Sequence, residues 1–254
     1  MHDFNWLALL SDKITHHNIH VVTSAFIVLL LTIFAYKAYG SLKKTSERII
    51  PEPTGTAANY FEAATQGILG LMESIIGPDA PKYFPLIGTL FIYIFLSNAI
   101  ALVPGFLPPT DNFNTTLGLG LIVFIYYNAM GIKAQGIVGH LKHMWGPIVW
   151  LGPLIFVIEI IGHCVRPVSL ALRLFGNITG DHMVLGIFSD LVPLGVPIIF
   201  LALGLFVSFI QAFVFSLLST IYIGLAVAHE HDDHGHEHDD HHAAHDNHEA
   251  HEHH

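Results

Sequence analysis

Two arginines, Arg166 and Arg173, stand inside "RPVSLALRLFGN", one of the most apolar parts of the sequence. A guanidinium cannot shed its charge. At the centre of a bilayer it costs about 2.5 to 3.5 kcal/mol on insertion scales, so an arginine in such surroundings must face protein or water and is a candidate functional group. Glu159, Arg166 and Arg173 recur every seven positions, a drift of only about 20° per step around an ideal helix, and therefore share one face. His163 lies four residues beyond Glu159, Asn177 four beyond Arg173, and Asp181 four further still. A single helix would carry these as a polar stripe across an apolar background, the pattern of an ion path or a buried network.

The members of the stripe are not equivalent. Glu159, His163 and Arg166 can neutralise one another, and a polar network that only fixes helix packing accounts for them as well as function does. Arg173 differs, because its nearest partner of opposite sign on that face is Asp181, eight residues on, too far for an intrahelical pair. Function is favoured there. Near the C-terminus, Gly204, Ser208 and Gln211 fall at i, i+4 and i+7, a second polar stripe that a packed hairpin would bring opposite the first. The Ser208 hydroxyl can bond its own helix carbonyl, whereas the Gln211 amide needs a partner. Ser97 and Asn98 read as packing groups, and Tyr126, Tyr127, Trp145 and Trp150 as anchors at a membrane interface.

These residues must be positioned by membrane-spanning helices. Of the 254 residues 52% are hydrophobic and 12% charged, and runs such as "PIIFLALGLFVSFIQAFVF" are foreign to water-soluble domains. The formal charge of −10 comes largely from residues 229–254, which hold nine of the twenty acids and no Lys or Arg; the rest has ten basic against eleven acidic residues. With one cysteine, Cys164, no internal disulfide framework can form, and a small buried side chain is the plain reading.

Taken in order, Val21 to Tyr39 is a first span followed by Lys43, Lys44 and Arg48, which places that end in the cytoplasm and the N-terminus outside. The first apolar run starts too late and without the basic opening of a cleaved signal peptide. Ala57 to Ile76 has Phe61, Ile68, Leu71, Met72 and Ile75 at helical spacing with Glu62, Gln66 and Glu73 elsewhere, an amphipathic helix for the cytoplasmic surface. Phe84 to Val103 crosses outward to a loop, "PGFLPPTDNFNTT", without Lys or Arg, and the span that begins at Leu117 returns to Lys133, His140, Lys142 and His143. The last two apolar stretches run from Pro147 to about Ser189 and from Pro193 to about Ala228. Helices of that size would be roughly 55 to 60 Å long, nearly twice the hydrocarbon thickness, so they must tilt steeply or break, with kinks expected near Pro153, Pro167, Gly176, Gly180 and Gly186. The fold class is therefore an all-α polytopic membrane protein with about five transmembrane helices, one surface amphipathic helix and a long tilted C-terminal hairpin. Residues 1–228 form a single membrane domain, and residues 229–254 a disordered His/Asp-rich cytoplasmic tail whose composition supports no core.

"RPVSLALRLFGN", followed on the last helix by "QAFVFSLLSTIYI" and accompanied by the looser "PTDNFNTT", strongly resembles subunit a of the bacterial F-type ATP synthase, over roughly Phe84 to Ala228. The resemblance implies the stator subunit of the rotary membrane sector in the inner membrane, with two proton half-channels set against a ring of c subunits. It also implies b-type peripheral stalk subunits as partners, protons or sodium ions as the coupling ion, no cofactor, and nucleotide chemistry elsewhere. Carried over by position, Arg173 matches the stator arginine, Asn177 the polar residue one turn on, Glu159 an acid two heptads earlier, and Gln211 the last-helix glutamine. His182 and Gly204 stand where many bacterial members have Glu and His. His182, Asp181 and Glu159 are thus the candidates for the outer relay group, with His163, Arg166 and Ser208 in support. A competing reading, a secondary carrier for divalent metal, draws on the histidines. It would need carboxylate and His pairs on facing helices, and the only near approach, Asp181 with His182, diverges by about 100° around a helix.

Overall fold

The computed structural model describes residues 19–45, 57–103, 105–145, 150–191 and 196–227. The acidic His-rich tail lies outside them. The described residues form six helices and no strand: α1 (Ile19–Thr45), α2 (Ala57–Ile76), α3 (Ala80–Ala99), α4 (Phe113–Trp145), α5 (Gly152–Leu191) and α6 (Val196–Val227), with short 3-10 turns at Ile100–Leu102 and Pro109–Asp111. Five of them, all but α2, are long and apolar enough to cross a membrane.

The amphipathic segment expected over Ala57 to Ile76 is α2, with the same bounds. Its buried edge includes Met72, and Ile75 meets α6 at Gly224, where an added Cβ would lie 3.4 Å from the isoleucine side chain. Gly77 ends α2 at φ 86°, where only glycine is unstrained, and its amide bonds the Glu73 carbonyl at 2.9 Å. Pro81 then opens α3, so a surface helix turns into a span within three residues.

The core is shared by α3 to α6. Ile87 and Ile94 from α3, Val123 and Tyr127 from α4, Leu170 and Leu174 from α5, and Ala212, Phe215 and Ile223 from α6 are all fully buried. Helix α6 packs on α2, α3, α4 and α5, and the most extensive pairing is α4 with α5. Several hydroxyls on the spans are satisfied within their own helices, as for Thr23 on Ile19, Thr32 on Val28, Ser219 on Phe215 and Thr220 on Ser216, which suits an apolar solvent.

Helix α5 is continuous through Pro167. The backbone leaves helical geometry in α4 instead, at Gly136 with φ 73° and ψ 164°. A proline deletes one backbone bond and can bend a helix without ending it, whereas a residue at positive φ interrupts it outright. With its 40 residues, α5 is about 60 Å long and can match a bilayer only by tilting.

The connection from α3 to α4 folds back onto the bundle. Thr110 donates to Asn98 Oδ1 at 2.8 Å, Thr179 of α5 donates to Asp111 Oδ1 at 3.0 Å, and Asn112 caps α4 by accepting the Asn114 amide at 2.9 Å.

Candidate functional site

The polar stripe of α5 divides into two groups with Arg173 between them. At 1.5 Å per residue, Glu159 lies about 21 Å before Arg173 along the helix axis and His182 about 14 Å after it. The two groups therefore serve opposite ends of the bundle.

The first group is a closed network. Arg166 donates to His163 Nδ1 at 3.3 Å, and its other terminal nitrogen lies 3.8 Å from Glu159 Oε1, which is 4.0 Å from His163 Nδ1. The guanidinium carbon lies 5.9 Å from the ring centre of Tyr127 on α4 and 5.4 Å from that of Tyr222 on α6. The His163 ring also meets Tyr127 edge to face at 5.9 Å. Three helices are thus joined around one cation. Tyr127, expected at a membrane interface, is instead buried in the core, because its ring faces Arg166 and His163; Trp150, by contrast, is exposed.

These contacts change the expectation for Arg166. From spacing alone, any positive charge would serve, since the residue is two turns from Arg173. A lysine can match neither the planar guanidinium beside the two tyrosine rings nor an arrangement in which one terminal nitrogen donates to His163 while the other stands 3.8 Å from Glu159. Arg166→Lys should lower the stability of the solubilised protein by about 1 kcal/mol, read as a fall in its thermal midpoint. An unchanged midpoint would mean that the charge alone matters.

Beyond Arg173, Asn177 donates to Gln211 Oε1 at 2.6 Å across the α5/α6 hairpin, so the glutamine has the partner its buried amide requires. Gln211 is only 4% exposed. Ser208 donates to the Gly204 carbonyl of its own helix at 2.7 Å. Asp181 and His182 line a cavity of about 210 Å³ together with Ser208, Gly204 and Asn98. His182 and Gly204, the two positions that depart from the bacterial pattern, therefore face the same space. Glu159 is not part of it.

Arg173 itself is exposed, as are Leu172, Gly176 and Asn177 beside it, and it has neither an ion-pair nor a hydrogen-bond partner among the described residues. The surrounding surface is apolar. Val165, Val168 and Leu172 of α5 and Leu203, Phe206 and Ile210 of α6 are all exposed. A fixed positive charge thus stands on a greasy face between two polar groups, free to act on something outside the chain.

Sequence reading missed three contributors. Tyr127 and Tyr222 carry no local signal of their role, because the cation they face is distant in sequence. Gly120 had no reading at all. A Cβ at Gly120 would lie 2.6 Å from the Pro167 carbonyl oxygen, so this glycine lets α4 close on α5 beside the arginines. A glycine among apolar residues in a span is the only hint of such an approach.

Among the described residues no three His, Cys, Asp or Glu side chains gather to hold a metal ion. Residues 12–224 match the family described as ATP synthase A chain. Similar proteins include the ATP synthase subunit a of Bdellovibrio bacteriovorus, 42% identical over 228 residues that cover 90% of this chain and 99% of the relative. That of Trichlorobacter lovleyi is 43% identical over 239 residues, 91% of this chain and 100% of the relative. The Geobacter sulfurreducens protein is 49% identical over 179 residues, 70% and 77% of the two chains. With a family match over residues 12–224, and two relatives that align along 99% and 100% of their length, this multi-pass membrane protein belongs to the ATP synthase A chain family.

Proposed function

We propose that the chain is the stator subunit of a rotary ATP synthase, forming two offset proton half-channels against a ring of c subunits and coupling proton flux to ring rotation. The observation that carries this reading is Arg173, exposed and without a partner among the described residues, on an apolar face between two polar groups that do not touch. Its charge favours the ionised form of each ring carboxylate that passes, so a proton must leave on one side before another is taken up from the other. The same charge blocks direct passage. The driving force is about 2.3 kcal/mol per charge per 100 mV, plus any pH difference.

In this reading Asp181 and His182, with Ser208, line the outer half-channel, and the Asn177–Gln211 bond holds α5 to α6 beside the gate. Glu159, supported by His163 and Arg166, belongs to the inner path, because it lies on the other side of Arg173 along α5. The apolar face around Arg173 suits a ring of apolar helices. The surrounding lipid, b-type stalk subunits and the ion, proton or sodium, complete the set of partners. The Lys/Arg distribution sets the N-terminus outside and the C-terminus in the cytoplasm of a bacterial inner membrane. The reading as a carrier for divalent metal loses ground to the family match.

An imidazole is suited to relay protons near neutral pH. His182→Ala should slow proton flux through the assembled membrane sector by roughly a hundredfold, the lower end for a lost acid–base group, and His182→Glu should restore much of it. Passive proton flux in vesicles, normalised to assembled complex, measures both. Unimpaired flux in the alanine variant would move the relay to Asp181.

A further inference from the structure

Helix α6 ends at Val227, and its last turns are held in place, because Val227 is buried in the core and Gly224 is packed against Ile75 and Ile76 of α2. One to two turns before that end, about 8 Å along the helix, the Tyr222 ring faces the Arg166 guanidinium at 5.4 Å. The end of α6 is therefore fixed beside the group formed by Glu159, His163 and Arg166. Within that group the side chain of Glu159 is 40% exposed, against 13% for His163 and 28% for Arg166, so the carboxylate is where the network meets its surroundings. Residues 228–254 follow directly and lie outside the described part of the chain. Their sequence holds twelve of the twenty histidines, nine acids and no Lys or Arg. The first imidazole, His229, stands two residues past the helix end, at most about 7 Å of chain.

The chemistry open to that composition is narrow. Imidazole is the one side chain whose ordinary charge change falls between about pH 5 and 8, and clustered carboxylates raise the local concentration and on-rate of cations, protons included, by about 10 to 10³. Together they attract protons and release them again near neutrality. Such a store matters where protons arrive slowly. At about pH 7.5 free protons stand at roughly 3 × 10⁻⁸ M, and with a diffusion-limited rate constant of about 10¹⁰ M⁻¹ s⁻¹ a single site receives only a few hundred per second, below the roughly 10³ s⁻¹ that fast enzymes reach.

We infer that residues 229–254 are a proton-collecting segment for the inner path: their histidines take protons from the medium and pass them to Glu159, beside the root of the segment, when the rotor runs in the pumping direction. Each transfer leaves a neutral imidazole and a protonated carboxyl, and the imidazole regains its proton from a buffer acid or hydronium in the medium. The other titratable groups at this mouth are His163 and Arg166 of α5, Tyr127 of α4 and Tyr222 of α6. The inference rests on the inner path proposed above and adds to it the group that feeds it.

The complete synthase in inverted membrane vesicles, where the segment faces the medium, tests this through ATP-driven acidification of the lumen per assembled complex. With His229→Gln and the same change at the other eleven histidines of the segment, pumping from a weakly buffered medium should fall about tenfold, the lower end of the gain from local charge. It should return to the wild-type rate when the impermeant buffer Mops is added in excess, because a mobile acid then delivers the protons. Wild type should respond little to Mops. A segment needed only for assembly would lower the amount of complex, and any loss per complex would persist in Mops. Histidines that act by holding a divalent metal ion would instead let the nitrogen-donor chelator TPEN, which leaves magnesium in place, reproduce the loss in wild type. Equal pumping by the two complexes in weak buffer, a loss that Mops does not repair, or a wild type slowed by TPEN would each overturn the inference. If Arg173→Ala abolishes pumping in the same vesicles while the histidine variant pumps normally, the stator reading stands and only the role of the segment falls. If Arg173→Ala pumps normally, the stator reading falls and this one with it.

Discussion

Arg173→Ala is expected to abolish ATP-driven proton pumping and ATP synthesis while leaving the complex assembled. Assembly should survive because the guanidinium is exposed and has no bonded partner among the described residues, so its removal strands no buried group of opposite charge. Function should not, because nothing else on that face can favour the ionised carboxylate or bar direct passage between the half-channels. Passive proton leak should rise in the same variant. Arg173→Lys retains the charge but loses the planar fork and the reach, and should be far poorer than wild type at coupled transport. The measurements are proton uptake and ATP synthesis in reconstituted vesicles, with subunit content determined on the same samples. Normal coupled synthesis by an assembled Arg173→Ala complex would overturn the mechanism proposed for this chain.

Gly120→Val should have the largest structural effect. The first side-chain carbon at this position would lie 2.6 Å from the carbonyl oxygen of Pro167, a backbone atom that no rotamer change can move aside. Helices α4 and α5 would have to separate along their shared surface, and overpacking of this kind costs about 1 to 3 kcal/mol even where side chains can adjust. Separation would also draw Tyr127 on α4 away from Arg166, the residue just before Pro167 on α5. A several-fold loss of assembled subunit, or a clear fall in thermal midpoint, is expected, with Gly120→Ala affected less. The contrasting position is Gly204, where an added Cβ would meet only the Leu102 side-chain end at 2.8 Å, which can move. If Gly120→Val assembled and melted as wild type does, the close approach of α4 to α5 would not be required.

The sequence alone determined the helices, because a 20-residue apolar run and a 3.6-residue period are local properties that survive any packing. It placed α2 to the residue, found the five spans, and put Glu159, Arg166 and Arg173 on one face. It also indicated that Gln211 needs a partner and that Ser208 does not. Its account of the breaks was less complete: prolines and glycines pointed to α5, but the interruption is at Gly136 of α4. What crosses between helices was decided only by the tertiary structure. That Gln211 bonds Asn177, that Arg166 stands beside Tyr127 and Tyr222, that Asn98 shares a cavity with His182, and that Gly120 seats the Pro167 carbonyl all depend on the rotation and tilt of each helix relative to its neighbours. Those are set by side-chain packing between segments distant in sequence, for which a helical period carries no signal.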